Sequence, residues 1–487
     1  MAVTAPRLSA ATLAQARPGT ILPDYDRATL GPGIVHLGLG AFARGHLADY
    51  TEDAIARTRG AWGITGVSLQ RPDQRDRLAP QDGLYTTLQR DGAGLRARIV
   101  GCVRSVLVAP ESPEAVLAAM ADPACRIVSL TVTEKGYCHE PATGRLNPDH
   151  PDISHDLATP AAPRSAVGFL AAALERRRRA GHAPFTVLCC DNLPHNGPLL
   201  AGLVADFANL RGGPLGTWIA AHGAFPSTMV DRIVPAATPA DLADAVAATG
   251  LRDEAPVTHE PFRQWIIEDR FAGARPDWHA VGAQIVADVT PFEHMKLRLL
   301  NGAHSALAYL GYLAGHETIG DTVADPVFRA YVRALWREEI IPVVPPPPGT
   351  DLAAYADALL ARFDNRAIRH RTWQIAMDGS QKLPQRLLGT IRERLARRLP
   401  IGRLALAVAA WIRYVGGRDE AGRPIDVRDP LAADLRAAAV GEDPVAAVIA
   451  VAAVFGPDLP SHPGFRAAVA AAYATLRARG ARTAAAA

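Results

Sequence analysis

Residues 33–46 read GIVHLGLGAFARGH, and they decide the fold of the first part of the chain. A short apolar run leads into Gly38-x-Gly40-x-x-Ala43, and a helical pattern follows. A strand, a glycine turn and a helix in this order form the context that the dinucleotide fingerprint requires, with alanine tolerated in the third place. Gly38 allows the tight turn, and Gly40 lets the backbone approach a pyrophosphate at the helix N-terminus. We therefore predict a Rossmann-type α/β domain that binds a nucleotide.

The next apolar run, residues 64–69, predicts the strand that ends at the adenosine ribose of such a nucleotide. NAD enzymes usually carry Asp or Glu at this point, whereas this chain has Gln70 and Arg71. Gln70 can bond ribose hydroxyls, and Arg71 can stack on adenine or bind a 2′-phosphate, so both NAD and NADP stay open. The predicted cofactor-binding residues are Gly38, Leu39, Gly40, Ala41, Phe42, Gln70, Arg71 and Thr133.

Polar residues follow two further apolar runs, at 127–133 and 185–190. Ligands of open α/β sheets bind at the carboxyl ends of the strands, so both strand ends are candidate site elements. Asn192 follows the second run and is a candidate donor to an oxyanion; the alternative is a turn residue that caps the next helix. In 225–235, FPSTMVDRIVP, Asp231 and Arg232 fit a structural ion pair, and Asp231 equally fits a bond to a substrate hydroxyl.

A second stretch, PFEHMKLRLLNGAHS at 291–305, carries one of the few lysines. The chain has 52 lysine and arginine residues, and only Lys135, Lys296 and Lys382 are lysine. Arginine stays protonated, whereas a buried lysine can lose its proton and act as a base. Lys296 is therefore a candidate for chemistry, although a codon bias would also leave a few lysines.

The pattern of this stretch predicts a helix that begins near Pro291. At about 100° per residue, Glu293, Lys296, Asn301 and His304 fall on one arc that also holds leucines. An apolar surround lowers the pKa of a lysine, which suits a general base near neutral pH. The alternative interpretation is that these polar side chains lie between packed helices, where Asn301 and His304 are hydrogen-bonded and have no catalytic role.

The pattern of apolar residues along the chain changes near residue 290. Before it, apolar strand-like runs alternate with helical patterns; after it, the Ala/Leu/Arg periodicity of helices continues to the end. We therefore predict a dinucleotide-binding Rossmann-type domain at 1–290 and a mainly α-helical domain for substrate binding and catalysis at 291–487.

Composition excludes several classes of protein. The chain of 487 residues is 49% hydrophobic and 21% charged, as in ordinary globular proteins, and its net charge of +3 does not favour a nucleic-acid partner. No signal pattern or membrane-length apolar run is present, and five cysteines without paired spacing fit a reducing cytoplasm. No Cys/His cluster has zinc spacing, so we expect chemistry without a metal.

Several motifs together resemble a known family. GLGAFARGH at 38–46, TVTEKGY at 131–137, FPSTMVDRIVP at 225–235 and KLRLLNGAH at 296–304 are similar to the long-chain polyol and sugar-acid dehydrogenases of the mannitol dehydrogenase family. The resemblance covers roughly residues 30–480. Three further segments look most like its fructuronate reductase (mannonate oxidoreductase) branch: EKGYC at 134–138, FRQWIIED at 262–269 and RTWQIAMDGSQKLPQR at 371–386.

The resemblance implies a role for each candidate residue. Lys296 would be the general base, and Asn192 and Asn301 would hold the developing oxyanion. His304 would orient the substrate, and Glu293 would guide the proton to solvent. The distal hydroxyls or a carboxylate of the substrate would be contacted by Asp231, Arg371 and Lys382.

The expected function is a metal-independent, NAD(P)-dependent oxidoreductase that interconverts D-mannonate and D-fructuronate. The family commonly uses NAD, and Gln70-Arg71 leaves NADP open. One alternative is a mannitol 2-dehydrogenase; another, of a different class, is a catalytically inactive nucleotide-binding regulator, which would need Gly38 and Gly40 but not Lys296. We further expect a small-molecule substrate, no nucleic-acid or membrane partner, a cytoplasmic location and a monomeric protein.

Overall fold

A computed structural model describes residues 5–140 and 143–487, and the contacts between Cα atoms divide the chain into two units, Met1–Val289 and Thr290–Ala487. Within the described part of the first unit the strands are β1 Gly31–Leu37, β2 Trp62–Ser68, β3 Tyr85–Asp91, β4 Gly94–Val100, β5 Val103–Val108, β6 Ile127–Leu130, β7 His139–Glu140, β8 Arg145–Leu146, β9 Thr186–Cys189, β10 Thr228–Asp231, β11 Val257–His259, β12 Gln264–Glu268 and β13 Gln284–Val286. Its α-helices are α1 Ala41–Gly45, α2 Leu47–Thr58, α3 Asp73–Leu78, α4 Pro113–Ala121, α5 Pro151–Ala158, α6 Ala166–Arg179, α7 Asn196–Arg211, α8 Leu215–His222 and α9 Pro239–Thr249.

The main sheet of the first unit has the strand order β5-β2-β1-β6-β9, and every neighbouring pair is parallel. Its strands read as apolar runs because helices cover both faces. Successive side chains of a strand point to opposite faces: Val35 and Leu37 enter a core with α4, α6 and α7, whereas Ile34 enters another with α2. This is the predicted Rossmann-type architecture.

Three smaller sheets complete the first unit. Strands β11, β3 and β4 form one, and β10, β12 and β13 form another, in which β10 and β12 are antiparallel. Strands β7 and β8 form a short hairpin. The helix after the glycine turn begins at Ala41 and is interrupted at His46 before α2.

The second unit is helical. Its α-helices are α10 Thr290–Met295, α11 Ala303–Leu313, α12 Ile319–Ala324, α13 Pro326–Ala334, α14 Leu352–Phe363, α15 Thr372–Ala376, α16 Gly379–Leu383, α17 Gly389–Ala396, α18 Gly402–Val415, α19 Ala432–Ala439, α20 Pro444–Ile449, α21 Ala452–Phe455 and α22 Pro463–Ala485. The apolar helix α18 is the centre of the core and packs against α11 and α22. Among the described residues no helix has the length and apolar character that a membrane span requires.

Three stretches of the second unit are π-helical, with hydrogen bonds from residue i to i+5: Lys296–Gly302, Leu335–Ile340 and Pro384–Leu388. The π-helix is rare and occurs frequently at functional sites. The first of these stretches joins α10 to α11 and carries Lys296 itself, so the predicted helix is continuous but changes its winding there.

Candidate active site

The glycine turn after β1 is closed by its own backbone. Gly40 N–H donates to Gly38 O at 2.7 Å. Gly38 has φ +86°, and a Cβ there would lie 2.3 Å from Thr131 O, so only glycine fits. A Cβ on Gly40 would meet nothing nearer than Gly38 O at 3.9 Å. The turn therefore leaves open space beside Gly40, at the N-terminus of α1.

A buried histidine holds this turn against β6. His36 lies 2.8 Å from Ser129 Oγ and 2.9 Å from Thr131 Oγ1, and the Thr131 hydroxyl donates to Gly38 O at 2.7 Å. Burial lowers the pKa of His36 to about 4, so its ring is neutral near pH 7. His36 thus acts through Thr131 on the position of the turn, a role that its place inside an apolar run did not indicate.

A cleft of about 1100 Å³ opens at the carboxyl ends of β1, β2 and β6. The predicted cofactor residues that line it are Gly38, Leu39, Gly40, Gln70, Arg71 and Thr133. Ala41 and Phe42 are half-buried at the start of α1, where Phe42 stacks on the ring of His46 with centroids 5.0 Å apart.

The walls of this cleft suit an anionic nucleotide. Besides Arg71, Lys135 and Arg164 line it, and Asp152 is its only acidic lining residue within the described part of the chain. The space beside Gly40 at the N-terminus of α1 and these cations fit a dinucleotide whose pyrophosphate approaches the turn. Gln70 and Arg71 line the cleft directly after β2, and their contact with a ribose stays a prediction.

Asp191 shapes another wall of the cleft. Its carboxylate accepts from the backbone N–H of Val132 at 2.9 Å and of Thr133 at 3.1 Å, and from the Tyr137 hydroxyl at 2.7 Å. Thr133 has φ +66°, which is unusual for a β-branched residue. Burial raises the pKa of Asp191, and these bonds partly oppose that rise. Asp191 therefore holds the strained cleft residue Thr133 in place.

The end of β9 is clamped to the start of β10. Asn196 donates to Thr228 O at 2.9 Å and accepts from Thr228 N–H at 2.9 Å.

Asn192 lies exposed just after β9, and Asp231 is the buried last residue of β10. His195 occupies the N-cap position of α7 and makes no side-chain cap bond, so Asn192 is not the N-cap residue of that helix. Its role as an oxyanion donor stays a prediction.

Arg232 forms a buried ion pair with Asp49 of α2, and the contact that Asp231 makes stays a prediction. The Arg232 guanidinium contacts Asp49 Oδ2 at 2.7 Å, and Arg263 contacts the same oxygen at 2.7 Å. Burial alone would raise the pKa of Asp49, but Arg232 and Arg263 outweigh it and hold that pKa well below its usual range. Arg232 is thus part of a structural ion-pair network with α2.

In the second unit the predicted catalytic residues lie on and beside the first π-helical stretch. Lys296 and Asn301 belong to it, Glu293 precedes it and His304 follows it; each is between 5% and 8% exposed. The spacing of 100° per residue does not hold across this stretch, because a π-turn contains more residues than an α-turn. The four polar side chains are buried, as predicted. The π-winding changes the angles between them, and the expectation that they share one arc stays a prediction.

Two close approaches to other π-helical stretches accompany this winding. Trp336 Nε1–H donates to Leu299 O at 2.8 Å, and Trp336 belongs to another π-helical stretch, Leu335–Ile340. At Gly302, a Cβ would lie 2.7 Å from Arg386 O of the third, Pro384–Leu388, so glycine permits a close backbone approach there. The three rare windings therefore meet around the predicted catalytic segment.

His304 lies in a buried aromatic and cationic environment. Its ring stacks on Phe363 with centroids 5.0 Å apart and meets His370 edge-on at 4.6 Å. Burial, then His370 and the charges of Arg386, Arg362 and Lys382, holds the pKa of His304 well below its usual range. Its Nε2 has no hydrogen-bond partner, so a neutral imidazole presents one nitrogen that is available to a ligand.

The two predicted cationic substrate contacts lie in different surroundings. Lys382 is close enough to lower the pKa of both His304 and His370, and it donates to Met377 O at 2.5 Å. Arg371 has a side chain that is 58% exposed and lies 3.6 Å from Glu317, in a separate groove of about 470 Å³. The sequence pointed to neither Arg386 nor His370 as a neighbour of His304.

Comparison with known proteins agrees with this architecture. The model of the mannitol dehydrogenase Rossmann domain matches residues 32–280, and that of the mannitol dehydrogenase C-terminal domain matches residues 288–477. D-mannonate oxidoreductase of Escherichia coli (strain K12) is 48% identical over 468 residues, which are 94% of this chain and 96% of that protein. Mannitol 2-dehydrogenase of Pyricularia oryzae is 41% identical over 456 residues, 92% and 91% of the two chains.

A solved structure extends the likeness to three dimensions. The ternary complex of Pseudomonas fluorescens mannitol 2-dehydrogenase with NAD and D-mannitol has a TM-score of 0.92 and 40% identity, and the match covers 98% of each chain. A nucleotide-fold unit and a helical unit with a buried lysine define an oxidoreductase of the dehydrogenase class. The chain belongs to the mannitol dehydrogenase family, which confirms the resemblance of its motifs.

Proposed function

We propose that this dehydrogenase uses NAD to interconvert D-mannonate and D-fructuronate. The observation that carries the choice of a sugar acid is the set of cations around His304. Arg362, Lys382 and Arg386 all act on this buried, neutral ring. A substrate carboxylate requires such positive charge, whereas an uncharged polyol does not. The 48% identity to a D-mannonate oxidoreductase supports the same choice.

The residues of the cleft in the first unit suit NAD. Backbone around Gly38 and Gly40 receives the pyrophosphate, Gln70 and Arg71 meet the adenosine ribose, and Thr133 lines the wall held by Asp191. When bound, NAD supplies or accepts the hydride at its nicotinamide ring. The solved relative that carries NAD in its complex supports this cofactor.

Lys296 is the general base in the proposal. Oxidation of a secondary alcohol leaves negative charge on its oxygen as the proton departs, so a base and donors must face that oxygen. Lys296 Nζ takes the alcohol proton, and the side-chain amide of Asn301 donates to the oxygen. For Asn192, in the first unit, the role of oxyanion donor is the one that the family resemblance implies. Glu293 is buried and precedes Lys296 by three residues in the sequence, and it passes the proton towards solvent.

His304 and Lys382 position the substrate. A neutral imidazole with an unpartnered nitrogen can donate to or accept from one hydroxyl, which fits an orienting role. Lys382 meets the carboxylate. For Asp231, in the first unit, contact with a substrate hydroxyl is the role that the family resemblance implies. Arg371 remains in the proposal as a contact at the exposed edge, to be tested separately from Lys382.

A second candidate function is oxidation of D-mannitol to D-fructose. It is favoured by the solved structure of a relative whose complex contains D-mannitol, with a TM-score of 0.92. A polyol would place hydroxyls where the sugar acid has its carboxylate, so the same cations would serve as donors.

Oxidation of NADH by the purified protein tests the proposal. D-Fructuronate and D-fructose are compared, each with NADH and with NADPH. A much higher kcat/KM on D-fructuronate with NADH supports the proposal. Preference for D-fructose would move the function to the mannitol reaction, and turnover of neither, with NADH still bound, would contradict both substrates.

A further inference from the structure

Three side chains that can ligate a metal converge in the first unit, outside the residues that the proposed reaction uses. The Sγ of Cys138, one ring nitrogen of His150 and one carboxylate oxygen of Asp152 all lie within 4.8 Å of one another. Cys138 is buried, and the other two side chains are partly exposed. All three line the same cleft as the glycine turn.

The backbone brings these residues together from two parts of a loop. Asn147 N–H donates to Cys138 O at 2.9 Å, and His150 N–H donates to Asn147 O at 3.2 Å. His150 and Asp152 flank Pro151 at the first turn of α5. The three ligating groups therefore stand on anchored backbone at both ends of the loop.

The distances suit one tetrahedral ion after small side-chain movements. Ligands at 2.0–2.3 Å from a zinc ion are roughly 3.5 Å from one another, and His150 Nδ1 now lies 4.0 Å from Asp152 Oδ2. The His150 and Asp152 side chains are 35% and 45% exposed and have room to turn. The bond from Asp152 N–H to His150 Nδ1, 3.2 Å long, is the contact that an ion at this nitrogen would replace.

The chemical types of the ligands select the ion. Mg²⁺ and Ca²⁺ prefer oxygen ligands throughout. A thiolate, an imidazole and a carboxylate together are a set that Zn²⁺ accepts, and three protein ligands leave one position for water or another donor. Since all three side chains line the cleft, that fourth position opens towards it.

We propose that Cys138, His150 and Asp152 bind one Zn²⁺ ion on the wall of the nucleotide cleft. This site is distinct from the proposed chemistry of Lys296, which uses no metal. The competing explanation is helix capping: His150 is the N-cap of α5, and Asp152 is favoured in its first turn by the helix dipole. Capping gives no role to the Cys138 thiol, so variants of Cys138 separate the two explanations.

Zinc titration of the full-length protein, freed of metal by chelation and dialysis, tests the site. We expect one site that competes with a chromophoric zinc chelator. Cys138→Ser and His150→Gln should each weaken it by at least about 10- to 100-fold, since even outer residues of metal sites have effects of that size. Matched controls are Cys125→Ser, a buried thiol of the same unit, and His155→Gln, which lines the same cleft.

Cobalt gives an independent readout of the thiolate. Co²⁺ bound by the wild-type protein should show thiolate-to-metal charge-transfer absorption in the near ultraviolet, kept in Cys125→Ser and lost in Cys138→Ser. Far-ultraviolet circular dichroism checks that each variant is folded. Wild-type zinc affinity in both Cys138→Ser and His150→Gln, or no such site in the wild type, would overturn the proposal.

Discussion

Trp336 donates its indole N–H to the main-chain carbonyl of Leu299 at 2.8 Å, in the middle of the π-helical stretch that carries Lys296 and Asn301. The bond joins two segments with the same unusual winding. It reaches a carbonyl of the helix interior and is fully buried. Trp336 therefore supports the winding that sets the direction of the proposed base.

Replacing this tryptophan tests that support. Trp336→Phe keeps most of the apolar volume and removes the donor, so we expect the protein to lose about 1–3 kcal/mol of unfolding free energy. If the winding directs Lys296, kcat should fall as well, with little change in NADH affinity. Urea unfolding and steady-state kinetics measure both quantities, and wild-type kcat in the folded variant would contradict the link.

Lys296→Arg tests the general base directly. Arginine keeps the positive charge but cannot give up its proton under ordinary conditions, so kcat/KM should fall by about 100- to 10,000-fold, the usual contribution of a general base. NADH binding, followed by nucleotide fluorescence, should stay unchanged. The inactive-regulator hypothesis predicts instead that wild type and variant are equally silent in turnover.

The two glycines of the turn should respond differently to the same substitution. In Gly38→Ala the new Cβ would meet Thr131 O at 2.3 Å on a backbone with positive φ, so the variant should unfold at a lower temperature. In Gly40→Ala the Cβ enters open space, so stability should change little while NADH affinity drops, because the methyl occupies the place of the pyrophosphate. Thermal unfolding and NADH titration separate these effects; equal NADH affinity in Gly40→Ala would place the nucleotide elsewhere.

Acid should destabilise the first unit through His36. Burial lowers its pKa from 6.5 to about 4, so the folded state prefers the neutral ring. This stability is fully present above pH 6.5 and is lost as the pH falls towards 4, by about 3 kcal/mol at most. His36→Gln removes the titrating group, so its unfolding free energy should depend less on pH in this window. Parallel pH curves for the two proteins would refute the assignment.

A substrate carboxylate should depend on Lys382 more than on Arg371. Lys382→Gln should lower the ratio of kcat/KM for D-fructuronate to that for D-fructose by about 10-fold or more, the loss expected for a charge-assisted bond. The ratio cancels any general damage to the fold. Arg371→Gln is measured in parallel, and we expect it to lower the ratio less than Lys382→Gln, because the Arg371 side chain is 58% exposed and lies near Glu317. An equal loss on both substrates would indicate that Lys382 meets a hydroxyl or serves structure alone.

Much of the fold could be predicted because its signals are local. Three of these signals depend only on residues that are neighbours in the chain: the apolar run before Gly38, the spacing of Gly38 and Gly40, and the change in apolar periodicity near residue 290. Strand, turn and helix each have such a pattern, and the parallel sheet follows from their alternation. The same local character made Lys296 and His304 candidate site residues, since a cluster of polar residues in one apolar helix is recognisable from the sequence alone.

Contacts between distant residues set the rest. The edge-on approach of His370 to His304, the grip of Asp191 on Thr133, and the convergence of Cys138 with His150 and Asp152 link residues that no short pattern connects. The π-helical stretch at Lys296 likewise contacts Trp336 and approaches Arg386, which belong to other helices. A regular α-helix was the reasonable local prediction, and packing against those helices overrode it. The local sequence therefore determined which helices and strands form, and long-range packing determined how their polar side chains are oriented.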